Sequence, residues 1–410
     1  MKALLRRFMI AMAALAVMSC ATPGRLESRA PTILVSIDGF RPDYLERGVT
    51  PNLNALAADG AVGEMRPSFP SKTFPNHHTL VTGRRPDRHG MVDNTMEDPQ
   101  IPGVRFRLAN AEAMTDPRWW NEAAPIWVTA ERAGVRTATM FWPGSETAIR
   151  GTRPSQWRKY DETVTPSQRV DQVLAWLDAP APERPQFLTL YFEQVDDAGH
   201  DHGPDSAQVN AAAAEIDRMI GRLVSGLQAR GLAANLVIVS DHGMAAVSPE
   251  RRIFLDDLIA PSNVTTMTMG AFMSAYPKPG REQEVDAALI RPHPHMQCWR
   301  KAEIPAQFAY GRHRRVPPYF CLPNTGWEIT TRAYVARQKP QDIDYGNHGF
   351  DPNDPTMRAA FIAAGPAFRR GVRVPVFDNV DVYPLLARLI GVRPEPNEGD
   401  LVEIRQVLVR

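Results

Sequence analysis

Four apolar runs recur along the chain, and each stops at a polar or glycine-bearing turn. "TILVSIDGF" begins at Thr32 and breaks at Asp38-Gly39, and "PQFLTLYFEQVD" ends at Asp196. "ANLVIVSDHG" ends at Asp241-His242-Gly243, and "MRAAFIAAGPAF" passes into Gly365-Pro366. Such continuous runs predict strands buried on both faces. Between them, "QRVDQVLAWLD" and "AAAAEIDRMIGRLVSGLQARG" repeat their apolar residues at helical spacing. The alternation predicts an α/β fold, a mostly parallel central sheet with helices on both faces. The stretch of about 244–345 breaks the pattern and is expected to be an inserted subdomain. In it "REQEVDAALI" reads as a helix, and "RPHPHMQCW" and "RHRRVPPYFC" read as loops.

The first twenty residues stand apart. Arg6 and Arg7 precede an apolar run from Phe8 to Met18, which at about a dozen residues is too short to span a bilayer. It closes on "AVMSC", similar to a bacterial lipoprotein signal. On that reading residues 1–19 are removed, Cys20 carries lipid, and 20–30 tether a catalytic domain of residues 31–410. An ordinary secretory peptide with an incidental Cys20 is the other reading. Both predict export; the lipoprotein form predicts the periplasm and an outer-membrane anchor at Cys20, because Ala21 supplies no inner-membrane retention signal. Cys298 and Cys321 then invite a disulfide, worth about 3 kcal/mol by chain entropy. Metal ligation is the alternative, although no CxxC partner lies nearby. "CLPNT" lacks the Ser and Arg of the sulfatase maturation motif.

Composition removes other classes. A formal net charge of +1 over 410 residues gives no electrostatic reason to bind a nucleic-acid polymer. The 37 prolines favour a site built from rigid loop ends. "SKTFP" puts Ser71 where a phosphate loop needs glycine, with Pro70 and Pro75 removing amides. No GxSxG pattern is present.

The polar residues fall where open parallel sheets bind ligands, beyond the carboxyl ends of the strands. Asp38, Asp196 and Asp241 each follow an apolar run and should converge there. Three carboxylates would repel one another without cations between them. His242 adjoins Asp241, His200 follows Asp196 by four, and His348 stands in "GNHGFD". Mixed Asp and His donors suit zinc or another first-row divalent ion better than calcium or magnesium.

"SIDGFRPDYL", "KTFPNHHTLVTG", "HGMVDNTM", "MFWPGSE", "VDDAGHDHGP", "SDHGM" and "GNHGFD" follow one another in an order that resembles the nucleotide pyrophosphatase/phosphodiesterase family of the alkaline phosphatase superfamily. The resemblance spans nearly the whole mature chain. It implies an alkaline-phosphatase-like fold and two zinc ions. One would be held by Asp38, Asp241, His242 and the Thr73 hydroxyl, the other by Asp196, His200 and His348. The family's spacing of four selects Asp196 over Asp197. Thr73, at a helix start, would be the nucleophile and form a phospho-threonine intermediate; Asn94 and the Thr73 amide would donate to phosphate oxygens. His77, His78 and His202 would be structural or solvent-facing.

For substrate, the resemblance implies that Phe74 and Tyr160 sandwich a nucleotide base, with Lys72 and Trp142 near the nucleotide. The expected reaction is hydrolysis of nucleoside 5′-phosphodiesters and pyrophosphates. A choline-phospholipid phosphodiesterase, a phosphomonoesterase, and a non-catalytic periplasmic zinc- or nucleotide-binding lipoprotein are the alternatives. His293, His295 and His313 have proline and arginine neighbours that favour solvated loops, and the Arg312–Arg315 cluster reads as a solvated face, with contact to substrate phosphates as the other reading.

Overall fold

The computed structural model describes residues 29–409. The expected signal peptide and Cys20 lie outside the described residues. No helix among those described is long and apolar enough to cross a membrane.

Nine strands form the central sheet: β1 (Thr32–Ile37), β2 (Ala61–Arg66), β3 (Thr137–Met140), β4 (Gln156–Arg158), β5 (Phe187–Phe192), β6 (Asn235–Val239), β7 (Ala359–Ala364), β8 (Val372–Arg373) and β9 (Phe377–Asp378). Their order is β8-β2-β7-β6-β1-β5-β3-β4, with β9 also pairing β2. Six of the eight pairings are parallel. The two antiparallel ones both belong to β7, so the sheet is mixed because this one strand is reversed.

The continuous apolar runs have a packing cause. Ile33, Val35 and Ile37 of β1 face one apolar cluster and Leu34 the other; Ala360 and Ile362 of β7 part from Phe361 and Ala363 in the same way. Helices α3 (Pro166–Leu177) and α5 (Ala207–Ala229) cover one face, while α1 (Thr73–Thr82), α2 (Ile126–Arg132) and α6 (Val382–Ile390) cover the other. Helix α4 (Gln194–His202) follows β5 directly. Thr165 and Gln168 close a capping box on α3, which satisfies amides that the first turn leaves free.

Between β6 and residue 346 the chain builds a second, four-stranded antiparallel sheet of Val264–Thr268, Met273–Pro277, Met296–Arg300 and Tyr319–Pro323. Glu282–Leu289 is the expected helix. The two stretches read as loops each contribute a strand instead. Cys298 pairs with Cys321 in register across them and the two are disulfide-bonded. The arginine run is also corrected. Arg312 is exposed, but Arg315 is wholly buried and His313 nearly so. Arg315 reaches Asp98 at 2.6 Å, and His313 reaches Glu122 at 2.9 Å. Sequence alone misplaces these cations because their carboxylate partners lie some 200 positions earlier.

Candidate active site

The carboxyl edge of the parallel strands collects the polar residues. Asp38 follows β1, Asp241 and His242 follow β6, and Asp196 and His200 lie one turn apart on α4 after β5. Gly39, at φ 66°, turns the chain away beside Asp196; a Cβ there would lie 2.9 Å from Asp196 Oδ1. His348 arrives because β7 is reversed, so the segment before it ends at this same edge. Thr73 begins α1, and its Oγ1 lies 3.3 Å from His242 Nε2.

Ligand atoms gather within 4.8 Å of one another in three overlapping sets: Asp196, His200 and His348; Asp38, Asp196 and His242; and Asp38, His77 and Asp241. Three histidines have their tautomers set by backbone carbonyls. The Nδ1 of His200 donates to Gly346 at 3.0 Å, that of His242 to Gly243 at 2.9 Å, and that of His348 to Ser71 at 2.8 Å. Each Nε2 lone pair is left for the centre, the arrangement typical of metal-ligating imidazoles.

The carboxylates fit a cation. Asp38 Oδ1, Asp196 Oδ1 and Asp241 Oδ2 are buried without a hydrogen-bond partner. Burial, with Asp241 and Asp196 close by, pushes the Asp38 carboxyl well above its usual range. For Asp241 burial acts in the same direction but is outweighed by His242 and His77, which hold it well below. Buried anions of this kind require positive charge, and this donor set of aspartates and histidines fits a first-row divalent ion.

His77 and His78 are fully buried rather than solvent-facing. His77 stands 3.3 Å from Asp241, yet both its nitrogens are engaged: Nδ1 donates to the Thr73 carbonyl at 2.9 Å, and Nε2 accepts from Ser36 at 2.9 Å. It braces the first turn of α1. His202 is exposed. Sequence reasoning missed Tyr191, whose hydroxyl donates to Asp38 Oδ2 at 2.7 Å. Its signal was a lone phenol near the end of an apolar run whose next turn carries Asp196.

A cavity of about 530 Å³ opens beside Thr73 and Asp196. Phe74, Trp142 and Tyr160 line it together, with Leu108 and Met114. Phe74 is only 3% exposed and packs edge-on against Phe106, whereas Tyr160 is 40% exposed. Lys72 is not in that lining; its Nζ donates to Asn347 at 3.4 Å. Asn94 Oδ1 accepts from the Phe74 amide at 2.9 Å. That leaves Asn94 Nδ2 without a protein partner among the described residues.

Residues 32–351 match the family described as type I phosphodiesterase / nucleotide pyrophosphatase. The chain is 37% identical over 393 residues to an uncharacterised pyrophosphatase/phosphodiesterase of Schizosaccharomyces pombe, covering 90% of this chain and 79% of that one. It is 36% identical over 380 residues to a bis(5′-adenosyl)-triphosphatase of Xenopus laevis, covering 92% and 81%. Human ectonucleotide pyrophosphatase/phosphodiesterase 5 superposes with a TM-score of 0.86 at 33% identity, covering 92% of this chain and 99% of that one. The murine counterpart, solved as an inactive threonine-to-alanine variant in complex with AMP, gives the same score over 93% and 100%. By family match, by identity along nearly its whole described length and by fold, this chain is a hydrolase belonging to the type I phosphodiesterase / nucleotide pyrophosphatase family.

Proposed function

We propose that the protein hydrolyses nucleoside 5′-phosphodiesters and pyrophosphates with Thr73 as nucleophile and two zinc ions as cofactors. The observation that carries this is the set of partnerless buried carboxylate oxygens beside the hydroxyl of a helix-first threonine. Asp38, Asp241, His242 and Thr73 would hold one ion, and Asp196, His200 and His348 the other. When bound, they would supply Lewis acidity that lowers the pKa of the Thr73 hydroxyl and neutralises the leaving oxygen.

The remaining steps belong to the chain. Thr73 Oγ attacks phosphorus in line, and the bond to the leaving alkoxide or phosphate breaks. The resulting phospho-threonine is opened by water, which releases the nucleoside 5′-phosphate and returns the hydroxyl. The Thr73 amide, at the first turn of α1, and Asn94 Nδ2 hold the non-bridging oxygens. Tyr160 and Phe74 flank the base, and Trp142 closes the same cavity.

Further readings extend this. The segment of about 244–345 is an insertion into the catalytic domain. Residues 1–19 are a lipoprotein-type signal, and Cys20 anchors the exported protein to the outer membrane from the periplasm. The Cys298–Cys321 disulfide supports an oxidising compartment. Incorporation of labelled lipid that Cys20→Ser abolishes is the expected result for the anchor; labelling without Cys20 would overturn it.

The reaction is tested with a nucleoside 5′-nitrophenyl ester, a phosphomonoester and a choline phosphodiester. The nucleotide diester is expected to dominate, and Thr73→Ala to lower its turnover by roughly 10⁴-fold with AMP binding retained. Dominant choline-ester turnover would overturn the substrate assignment, and native turnover by Thr73→Ala the nucleophile.

A further inference from the structure

The loop carrying Asn94 is fastened from the side of the second sheet. Asp87 accepts from the amides of Gly311, Arg312 and His313 at 3.2, 2.7 and 3.0 Å. Arg315 donates to the Gly90 carbonyl at 2.7 Å, and the Tyr310 hydroxyl to the Val92 carbonyl at 3.1 Å. The last fixing comes closest to the chemistry. Thr268, which ends the strand Val264–Thr268, donates its hydroxyl to Asp93 Oδ2. The other oxygen of Asp93 accepts from the Asn94 amide at 2.7 Å.

Asp93 is 4% exposed, and among the described residues no basic side chain lies within ion-pair distance of it. It belongs to none of the metal-ligand sets and does not line the substrate cavity. Burial pushes its carboxyl up to about 6, while the Thr268 hydroxyl, the charge on Lys72 and the Asn94 and Thr95 amides pull it back down. A carboxylate this deeply buried, with no ion pair among the described residues, is costly to keep unless its hydrogen bonds hold it. Here the bonds run in one line, from Thr268 through Asp93 and Asn94 to the Phe74 amide beside Thr73.

We propose that Asp93 is a positioning residue, tying the Asn94 backbone to the second sheet through Thr268 so that the Asn94 side-chain Nδ2 meets the phosphate at a set place. The second sheet thereby aligns a reaction carried out on the edge of the first. This rests on the reading of Asn94 as a phosphate donor.

The test is a double-mutant cycle on the zinc-loaded protein with a nucleoside 5′-nitrophenyl ester, with thermal midpoint and metal content measured for every variant. Asn94→Ala is expected to lower kcat about 100-fold. Asp93→Asn and Thr268→Val should each lower kcat about 10-fold, a loss of alignment rather than of the donor, with KM unchanged within about twofold. Thr268→Ser should restore the loss, and Asp93→Asn should add nothing to Asn94→Ala. If Asp93→Asn does not fold, the Thr268→Val and Thr268→Ser pair carries the same comparison. Additive losses, or native kcat in Asp93→Asn and Thr268→Val while Asn94→Ala is impaired, would overturn the inference and leave the proposed reaction standing. Native kcat in Asn94→Ala would remove the donor role and the inference together.

Discussion

At the scale of single residues, exposure decides which substitutions report on chemistry. Phe74 and Tyr160 line the same cavity, but Phe74 also packs against Phe106 and Trp120 in the core. Tyr160, 40% exposed, is the cleaner probe. Tyr160→Ala is expected to raise KM for a nucleotide ester about 10-fold, within the range of one base–aromatic stack, and to spare bis-nitrophenyl phosphate; equal losses on both would refute the stacking role. Asp381 gives a stability prediction remote from the metal ligands. It is 8% exposed, and burial pushes its carboxyl to about 7, far above the ordinary unfolded value of about 3.9. The native state therefore binds the extra proton between these values, and stability falls as pH rises through that window. Asp381→Asn keeps an acceptor for the Asp400 amide. Its thermal midpoint should gain on the native protein progressively above pH of about 4, reaching roughly 5 °C by pH 8. A constant difference across pH would contradict this.

At the scale of elements, α1 begins where it does because Asn76 ties its entrance. The side-chain amide donates to the carbonyls of Pro70 and Lys72 at 3.0 and 2.9 Å, while its oxygen accepts from the Ser68 amide at 2.7 Å and from Asn379 at 2.9 Å. Asn76→Leu would strand these buried groups at about 1–3 kcal/mol each. Thermal midpoint and turnover should fall together, and an unchanged midpoint would show that the tie is dispensable. The Cys298–Cys321 bridge joins paired strands of the second sheet. Thiol titration of the denatured protein without reductant should find both blocked, and a double serine variant should lose about 3 kcal/mol. The long helices and buried strands were legible because their apolar spacing is local. The strands of the second sheet were not: "RPHPHMQCW" and "RHRRVPPYFC" carry proline and charge, and the partners that make them strands lie elsewhere in the chain. The reversal of β7 was equally hidden, since a run buried on both faces looks the same in either direction. The aspartates were readable from their place after such runs. Tyr191 offered only its place near the end of such a run, and the Asp93–Thr268 contact offered nothing, because no local spacing announces a hydrogen bond across 175 positions.

At the scale of the whole molecule, the proposed metal cage draws on both halves of the chain, so metal binding and folding would be linked. Removing metal leaves Asp38, Asp196 and Asp241 close together and buried or nearly so, and a cation that binds only the native state stabilises it by mass action. Chelation should lower the thermal midpoint as well as abolish turnover, and added zinc should restore both. Full activity after verified metal removal would sink the proposed cofactor role. The reversed strand β7 adds a condition on how the molecule is made. Synthesis delivers Asp38 early and His348 some three hundred residues later, and His348 reaches the edge only when the strand after it has docked backwards between β2 and β6. A nascent chain halted after His242 but before that strand carries Thr73 and most of the proposed ligands, yet it lacks a docked His348. Released fragments of this kind, made by stalling or truncation, should bind zinc weakly and turn nothing over. The protein would thus acquire its reactivity only after the strand that follows His348 has been made and has docked.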